Sequence, residues 1–503
     1  MTKTQPLYDV AIIGGGINGC GIAADAASRG LSVFLCEQGD LGSATSSQSS
    51  KLIHGGLRYL EYHEFSLVKK ALEERQRLLN IAPHLVHPLP FVLPYLNQER
   101  PAWLIRCGLF LYDHLSRKNK LPHTKKLSRQ KNPLEFDCLN HDIQHGFLFY
   151  DARADDARLT LINALQANVH GAAIHPRTRL MNAQIKNGLW SLTLQDASEK
   201  NQTMIEARVV VNATGPWLPS TSRQLGIPLK HSLSLVKGSH LVVKKIHDGP
   251  EAYLLQHSDK RVVFVIPYYG NHLIGTTEVL FSDSPEKAQI NADEINYLLL
   301  LVNRHFKKTI HHKDIIQTWS GVRPLIADVG HKPSGLSRDY VLDFDVHPAP
   351  CINVYGGKIT TYRVLAQEAV DHLKTIIPNL KNSQTATTPL PGAMLEHQSL
   401  QEYCDDAKHH YAWLDEKILN RYLQTYGTRT EMILEGCSNP KDLGKAFSAT
   451  CFEAEIRYLI KHEWAQCLED ILWRRTKLGF EMSAREQKTL GDFLFSMIGS
   501  NQK

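Results

Sequence analysis

The chain has 503 residues, 43% of them hydrophobic and 21% charged, and a formal net charge of +6 at pH 7. That length and composition exclude a disordered or fibrous chain and point to a globular protein of several domains. The longest apolar runs, such as YLLLLV at 297–302, fall far short of the roughly 18 to 20 residues of a membrane-crossing helix, and nine scattered cysteines without a Cys-x-x-Cys pair argue against a disulfide framework or a zinc site.

The apolar run LYDVAII enters a glycine cluster, an alanine-rich segment over 18–29 reads as a helix, and SVFLCE follows, giving strand, turn, helix and strand. Gly14, Gly16 and Gly19 stand in the G-x-G-x-x-G spacing between strand and helix. At such a turn, glycines let backbone amides approach a pyrophosphate whose charge the helix dipole favours. Glu37 closes the second strand about 20 residues on, where a carboxylate accepts ribose hydroxyls. The motif begins so early that no cleavable leader is expected ahead of it, and a reducing cytoplasm is the expected compartment. The loop ATSSQSSKLIHGG comes next. Its small hydroxyl side chains and glycines suit an extended path along a long cofactor, with Thr45, Ser46, Ser50, Leu52 and His54 as candidate contacts.

EFSLVKKALEERQRLLN places Phe65, Val68, Ala71 or Leu72, and Leu78 or Leu79 at helical spacing, and three prolines over 84–94 then break the pattern. Strand-like runs reappear at ARVVVNA, SHLVVK, RVVFVIPYY and HLIGTT, consistent with a return to the first domain followed by a second sheet. NATGPW ends the first of these runs and brings Thr214 and Gly215. INVYGGK leads into a helix with Tyr362, Ala366, Ala369 and Leu373 on one stripe, and Gly357, Lys358 and Thr360 lie at its entrance. Three separated segments meeting one cofactor favour FAD. The cofactor segments contain no obvious covalent arrangement, so non-covalent binding is expected. Beyond the turn near Gly392 the remainder reads as a C-terminal helical domain.

Together, GGGINGCGIAADAASRGLSV, ATSSQSSKLIHGGLRYLE, RPAWLIRCGLFLYDHL, NATGPW, KGSHLVV, FVIPYYG, SGVRPL, SRDY and GGKITTYR resemble the aerobic, FAD-dependent glycerol-3-phosphate dehydrogenases, from about Tyr8 to the C-terminal helices. The resemblance implies an α/β fold: an FAD-binding Rossmann-type domain of the glutathione-reductase or D-amino-acid-oxidase kind, interleaved with a substrate-domain sheet and followed by the helical domain. The expected boundaries are 1–80 with 145–230 and 341–385 for the FAD domain, 81–144 for a basic amphipathic membrane-associating segment, 231–340 for the substrate domain and 390–503 for the helical domain. The implied reaction is oxidation of sn-glycerol 3-phosphate to dihydroxyacetone phosphate, with electrons passed through FAD to membrane quinone.

The residues agree with such a substrate. A phosphate monoester is largely dianionic near neutral pH, and arginine grips it with two parallel hydrogen bonds. Arg58, Arg323 and Arg338 each sit in a Gly- or Ser-flanked block, and Tyr59, Lys237, His240 and Lys358 add polar groups beside them. Oxidation at C2 requires the hydroxyl to lose its proton and a cation to offset charge at the flavin's pyrimidine end. Lys358 suits the second task. His240 suits the first by its ordinary pKa, while Arg323 is the alternative group for orienting that hydroxyl. No metal is expected.

Arg100, Arg106, Arg117, Lys118, Lys120, Lys125, Lys126, Arg129 and Lys131 face a single acid, Asp113, and adjoin the apolar Trp103, Leu104, Ile105, Leu109, Phe110, Leu111, Tyr112 and Leu115. An apolar wedge with a cationic flank suits an interfacial anchor on anionic lipid at the inner face of the cell membrane. Nucleic-acid binding fits less well, because the aromatics precede the lysines rather than interleave with them. The partners expected are therefore glycerol 3-phosphate, membrane quinone, an anionic lipid surface and, as an option, a second copy of the chain in a homodimer. Two alternatives are a soluble oxidase that uses oxygen and a non-catalytic escort protein on the FAD-type fold. The basic apolar segment speaks against the first and the Arg and Lys cluster against the second.

Overall fold

β1 (Leu7–Ile13), α1 (Ile17–Ser28) and β2 (Val33–Cys36) form in the order that the apolar periodicity predicts. The computed structural model describes residues 5–96, 101–197, 202–257, 261–327, 339–393 and 399–500. β1 pairs in parallel with β2 and with Gln202–Asn212, and the sheet extends to Ala173–His175 on one side and to Cys351–Tyr355 on the other. Val341–Asp345 adds an antiparallel edge. These central strands are nearly continuous apolar runs because both faces are covered, one by helices and the other by Leu180, Trp190, Leu192 and Leu194. α1, Asp156–Val169 and Tyr362–His372 share one core with the sheet, and the predicted stripe of Tyr362, Ala366, Ala369 and Leu373 is fully buried in it. An antiparallel meander of Thr178–Lys186, Leu189–Asp196 and the start of Gln202–Asn212 completes the sheet.

Among the described residues, the second sheet has ten strands, centred on Leu233–Lys244, Asn271–Gly275, Val262–Tyr268 and Ala252–Gln256, with the long Ile315–Ile326 paired to Leu233–Lys244. Its other half differs from the expected boundaries. Val86–Tyr95, Lys125–Ser128 and His145–Ala154 pair into this sheet, so the stretch 81–144 supplies sheet strands as well as a surface segment, and 145–154 does not join the first sheet. The three prolines that predict a break lie inside Val86–Tyr95. Pro88, Pro90 and Pro94 are separated by two and four residues, both multiples of the strand's two-residue repeat, so their missing N–H groups all face the same edge and the ladder to His145–Ala154 survives.

The helix Ala102–His114 buries Ile105, Leu109 and Tyr112 against the second sheet and turns Trp103 (68% exposed) and Phe110 (60% exposed) outward, beside Leu104 and Leu111. Lys118, Lys120, Lys125 and Lys126 follow it on the surface. Among the described residues, no helix is long and apolar enough to cross a membrane.

Among the described residues, five α-helices, from Leu400–His410 to Ala484–Ser500, build the C-terminal domain around its own core. Buried ion pairs fasten it to the first domain. Arg158 meets Glu463, Arg474 and Arg475 both bond Asp40, Arg177 reaches Asp470 at 2.8 Å, and Lys477 reaches Asp155 at 2.6 Å.

Candidate active site

The glycine turn is closed by contacts that leave no room for a side chain. Gly14 has φ +111°, and a Cβ on Gly19 would lie 1.9 Å from the Gly14 carbonyl oxygen, so α1 starts directly against the end of β1. Gly19 acts through this packing and does not line the space beyond. That space is a cavity of about 680 Å³, within the range of roughly 300–1,000 Å³ for ligand sites. Gly14 and Gly16 form one wall. Glu37 stands at the end of β2, its carboxylate accepting from the amides of Gly15 and Gly39 at 2.7 Å each. Ser46 Oγ accepts from the first amide of α1, Ile17 N, at 2.9 Å, and Thr45 Oγ1 donates to the Val322 carbonyl at 2.7 Å.

The loop over 45–54 thus ties the first sheet to the second, and Thr45, Ser46, Ser50, Leu52 and His54 all line the cavity. Thr214 and Gly215 contribute from the end of Gln202–Asn212. Gly357, Lys358 and Thr360 contribute from the turn after Cys351–Tyr355. Thr360 Oγ1 also accepts from the amide of His54. A glycine cradle at an open helix start, a carboxylate at the adjoining strand end and a long polar trough fit the adenosine diphosphate half of FAD and leave the remainder beside Lys358.

A second cavity of about 300 Å³ meets the first at Ser50, His54, Tyr59 and Arg323. Arg58 lines it, and the Lys358 ammonium lies 3.8 Å over the Tyr59 ring, so the structure brings Arg58, Tyr59, Arg323 and Lys358 to one junction. The sequence reading missed Glu278. This nearly buried carboxylate lies 3.3 Å from Arg58 and 3.8 Å from Arg323, and it holds both guanidinium groups at the cavity wall. A lone Glu after GTT carries no local signal for that role.

Lys237 is corrected. On the strand Leu233–Lys244, Lys237 and Ser239 face Glu294, at 2.8 Å each, while Gly238 and His240 face the site. Strand alternation therefore turns Lys237 away from both cavities and makes it a structural ion-pair partner. Arg338 lies outside the described residues.

His240 is buried and lines neither cavity directly. Its Nε2 is 2.9 Å from Ser50 Oγ, which lines both. The ring stacks on Trp319 at 5.6 Å, and a Cβ on Gly275 would collide with it. Burial, followed by the nearby charges of Arg323 and Lys51, holds the His240 pKa well below its ordinary value, so the imidazole is neutral near pH 7. A neutral imidazole joined to the cavity through a hydroxyl is able to accept a proton there.

Comparison with known proteins supports the same fold and cofactor. Residues 9–362 match the FAD dependent oxidoreductase family. The chain belongs to this family. Residues 383–495 match the C-terminal domain of alpha-glycerophosphate oxidase. Within the family, a glycerol-3-phosphate dehydrogenase of Pseudomonas aeruginosa is 47% identical over 98% of this chain and 97% of its own length. A D-erythritol 1-phosphate dehydrogenase of Brucella abortus is 43% identical over 95% of this chain and 96% of its own. The solved structure of a Bacillus halodurans glycerol-3-phosphate dehydrogenase complexed with FAD superposes with a TM-score of 0.77, covering 99% of this chain and 95% of that one at 24% identity. That likeness concerns the fold, which is the expected Rossmann-type FAD domain with a second sheet and a helical C-terminal domain.

Proposed function

We propose that the protein oxidises sn-glycerol 3-phosphate to dihydroxyacetone phosphate while resting on the inner face of the cell membrane. The observation that carries this reading is the junction of Arg58, Arg323 and Lys358 around a cavity that meets the cofactor trough. FAD, held non-covalently in the trough, would supply the hydride acceptor for C2, and membrane quinone would be the onward electron acceptor. Arg58 and Arg323 bind the phosphate dianion, with Glu278 keeping the two guanidinium groups aimed. His240 takes the C2 hydroxyl proton through Ser50 Oγ. Lys358 holds a positive charge on the floor of the first cavity and offsets the negative charge that builds there.

Arg58→Ala and Arg323→Ala are each expected to raise KM and lower kcat/KM for glycerol 3-phosphate. A charge-assisted contact is worth roughly 1.5–3 kcal/mol, or about ten- to a hundredfold. Unphosphorylated glycerol should be a poor substrate of the parent enzyme. Wild-type kinetics in both variants, folded and flavin-loaded, would remove the phosphate assignment. The Brucella relative makes D-erythritol 1-phosphate the comparison substrate. A higher kcat/KM for it than for glycerol 3-phosphate would move the reading to longer polyol phosphates.

The exposed Trp103 and Phe110, with the lysines that follow, support docking on anionic lipid. Replacing Lys118, Lys120, Lys125 and Lys126 by Gln should weaken binding to anionic vesicles, since each surface-proximal cation is worth about 1 kcal/mol there. Added salt should weaken the parent's binding in the same direction. Dye-linked turnover should survive the change while quinone reduction in membranes falls. Equal vesicle binding by the variant and the parent would place the anchor elsewhere, and preferential turnover with oxygen would favour the oxidase reading.

A further inference from the structure

Lys51 is a buried cation next to the candidate base, and the proposed chemistry gives it no role. Its backbone has φ +60°, a left-handed conformation that non-glycine residues rarely adopt and that persists only where the surroundings demand it. Those surroundings are specific. The ammonium bonds both carboxylate oxygens of Asp156 at 2.8 Å and donates to the Ser47 carbonyl. It also lies 4.8 Å from the centroid of Trp319, the ring that stacks on His240. Asp156 in turn accepts from the amide and the hydroxyl of Ser49. The turn over 47–50 is therefore closed around the Lys51–Asp156 pair, and the next hydroxyl along it, that of Ser50, bonds His240 Nε2. The preceding residue, Asp155, pairs with Lys477 of the C-terminal domain, which clamps the helix start that holds Lys51.

We infer that Lys51 is a positioning residue for His240: its ion pair with Asp156 fixes both the Ser50 hydroxyl and the Trp319 ring between which the imidazole is held, and its charge keeps that imidazole a proton acceptor. The inference rests on the reading of His240 as the base. Among the described residues, the groups that reach His240 are few. Arg323 and Trp319 come from the strand Ile315–Ile326, Ser50 and Lys51 from the loop, and Asn271–Gly275 presents only the uncharged Gly275. Of these, Lys51 is the cation whose removal leaves the phosphate-binding arginines in place.

The test is the pH dependence of kcat at saturating glycerol 3-phosphate, measured with a dye acceptor on flavin-loaded protein. Lys51 and Arg323 are the cations whose charges disfavour a protonated imidazole, so Lys51→Met, which removes one of them, should move the acid limb upward by about one pH unit, about a tenfold loss on the acid side. Lys51→Arg, which keeps the charge, should leave the limb near its original position. Asp156→Asn acts in the opposite sense. It keeps the ammonium and removes its counter-charge, so the limb should move down, and this variant decides the matter if Lys51→Met does not fold. A purely structural role predicts a uniform fall in kcat with the limb unmoved, and that result in either variant overturns the inference. His240→Gln separates the two levels. Full activity in that variant would sink the base assignment itself, whereas its inactivity combined with an unmoved limb in Lys51→Met would sink the role of Lys51 alone.

Discussion

Gly19→Ala should yield protein that has lost its flavin. The added methyl would lie 1.9 Å from the Gly14 carbonyl oxygen and 3.1 Å from its carbon, both backbone atoms of a turn that cannot step aside. The Gly14 amide is anchored to the Cys36 carbonyl at 2.8 Å, and α1 is wedged between the helices Asp156–Val169 and Tyr362–His372. Relief requires α1 to slide away from β1, which displaces the amides and the helix start that face the cofactor phosphates. A few kcal/mol of such strain corresponds to roughly a hundredfold weaker binding or more. The flavin-to-protein absorbance ratio after gel filtration reads the outcome. A yellow, stoichiometrically loaded Gly19→Ala would mean that this turn is not the cofactor cradle.

Asp40→Ala should give the largest loss of stability among single changes outside the apolar core. Asp40 is nearly fully buried, accepts from Arg474 Nε at 2.5 Å and from two nitrogens of Arg475, and lies 3.8 Å from Arg177. Arg474 keeps Asp470 at 2.6 Å and Glu469 at 2.7 Å, and Arg475 keeps the Glu463 carbonyl, yet both would lose a principal counter-charge in a buried interface. Breaking one side of a buried pair costs about 3–5 kcal/mol, far above the value of an exposed pair. Asp40 also follows directly on the turn that holds Glu37, so flavin release should come at a lower temperature together with unfolding of the C-terminal domain. Thermal denaturation followed by flavin fluorescence and by circular dichroism measures both. An unchanged midpoint would show that the Asp40 pairs contribute nothing to holding the C-terminal domain.

What the sequence displays of this molecule is what neighbouring residues create. The cradle is legible because strand, glycine turn, helix and Glu37 fall within 31 residues of one another, from Leu7 to Glu37, and each has its own signature. The loop over 45–54 and the turn at Gly357 are legible for the same reason. The face of Lys237 is harder to read, since a two-residue alternation in a strand buried on both sides leaves no polar pattern to mark which side meets the site. Three closely spaced prolines suggest a break, and only the partner strand, some sixty residues on, shows that their positions are compatible with a ladder. Asp40 and Arg475 are 435 positions apart, Lys51 and Asp156 are 105 apart, and Glu278 meets Arg58 across 220. Such pairs are created by topology, and no local motif announces them.

The most direct test of the proposed activity is anaerobic mixing of the purified, flavin-loaded protein with sn-glycerol 3-phosphate, followed through the yellow flavin absorbance. It asks only whether this site, with this cofactor, takes a hydride from this substrate, and it is independent of membrane, quinone and oxygen. The predicted result is bleaching of the flavin band by glycerol 3-phosphate, with no bleaching by glycerol at the same concentration. A band that stays yellow with glycerol 3-phosphate, yet bleaches when dithionite is added, would contradict the proposed reaction.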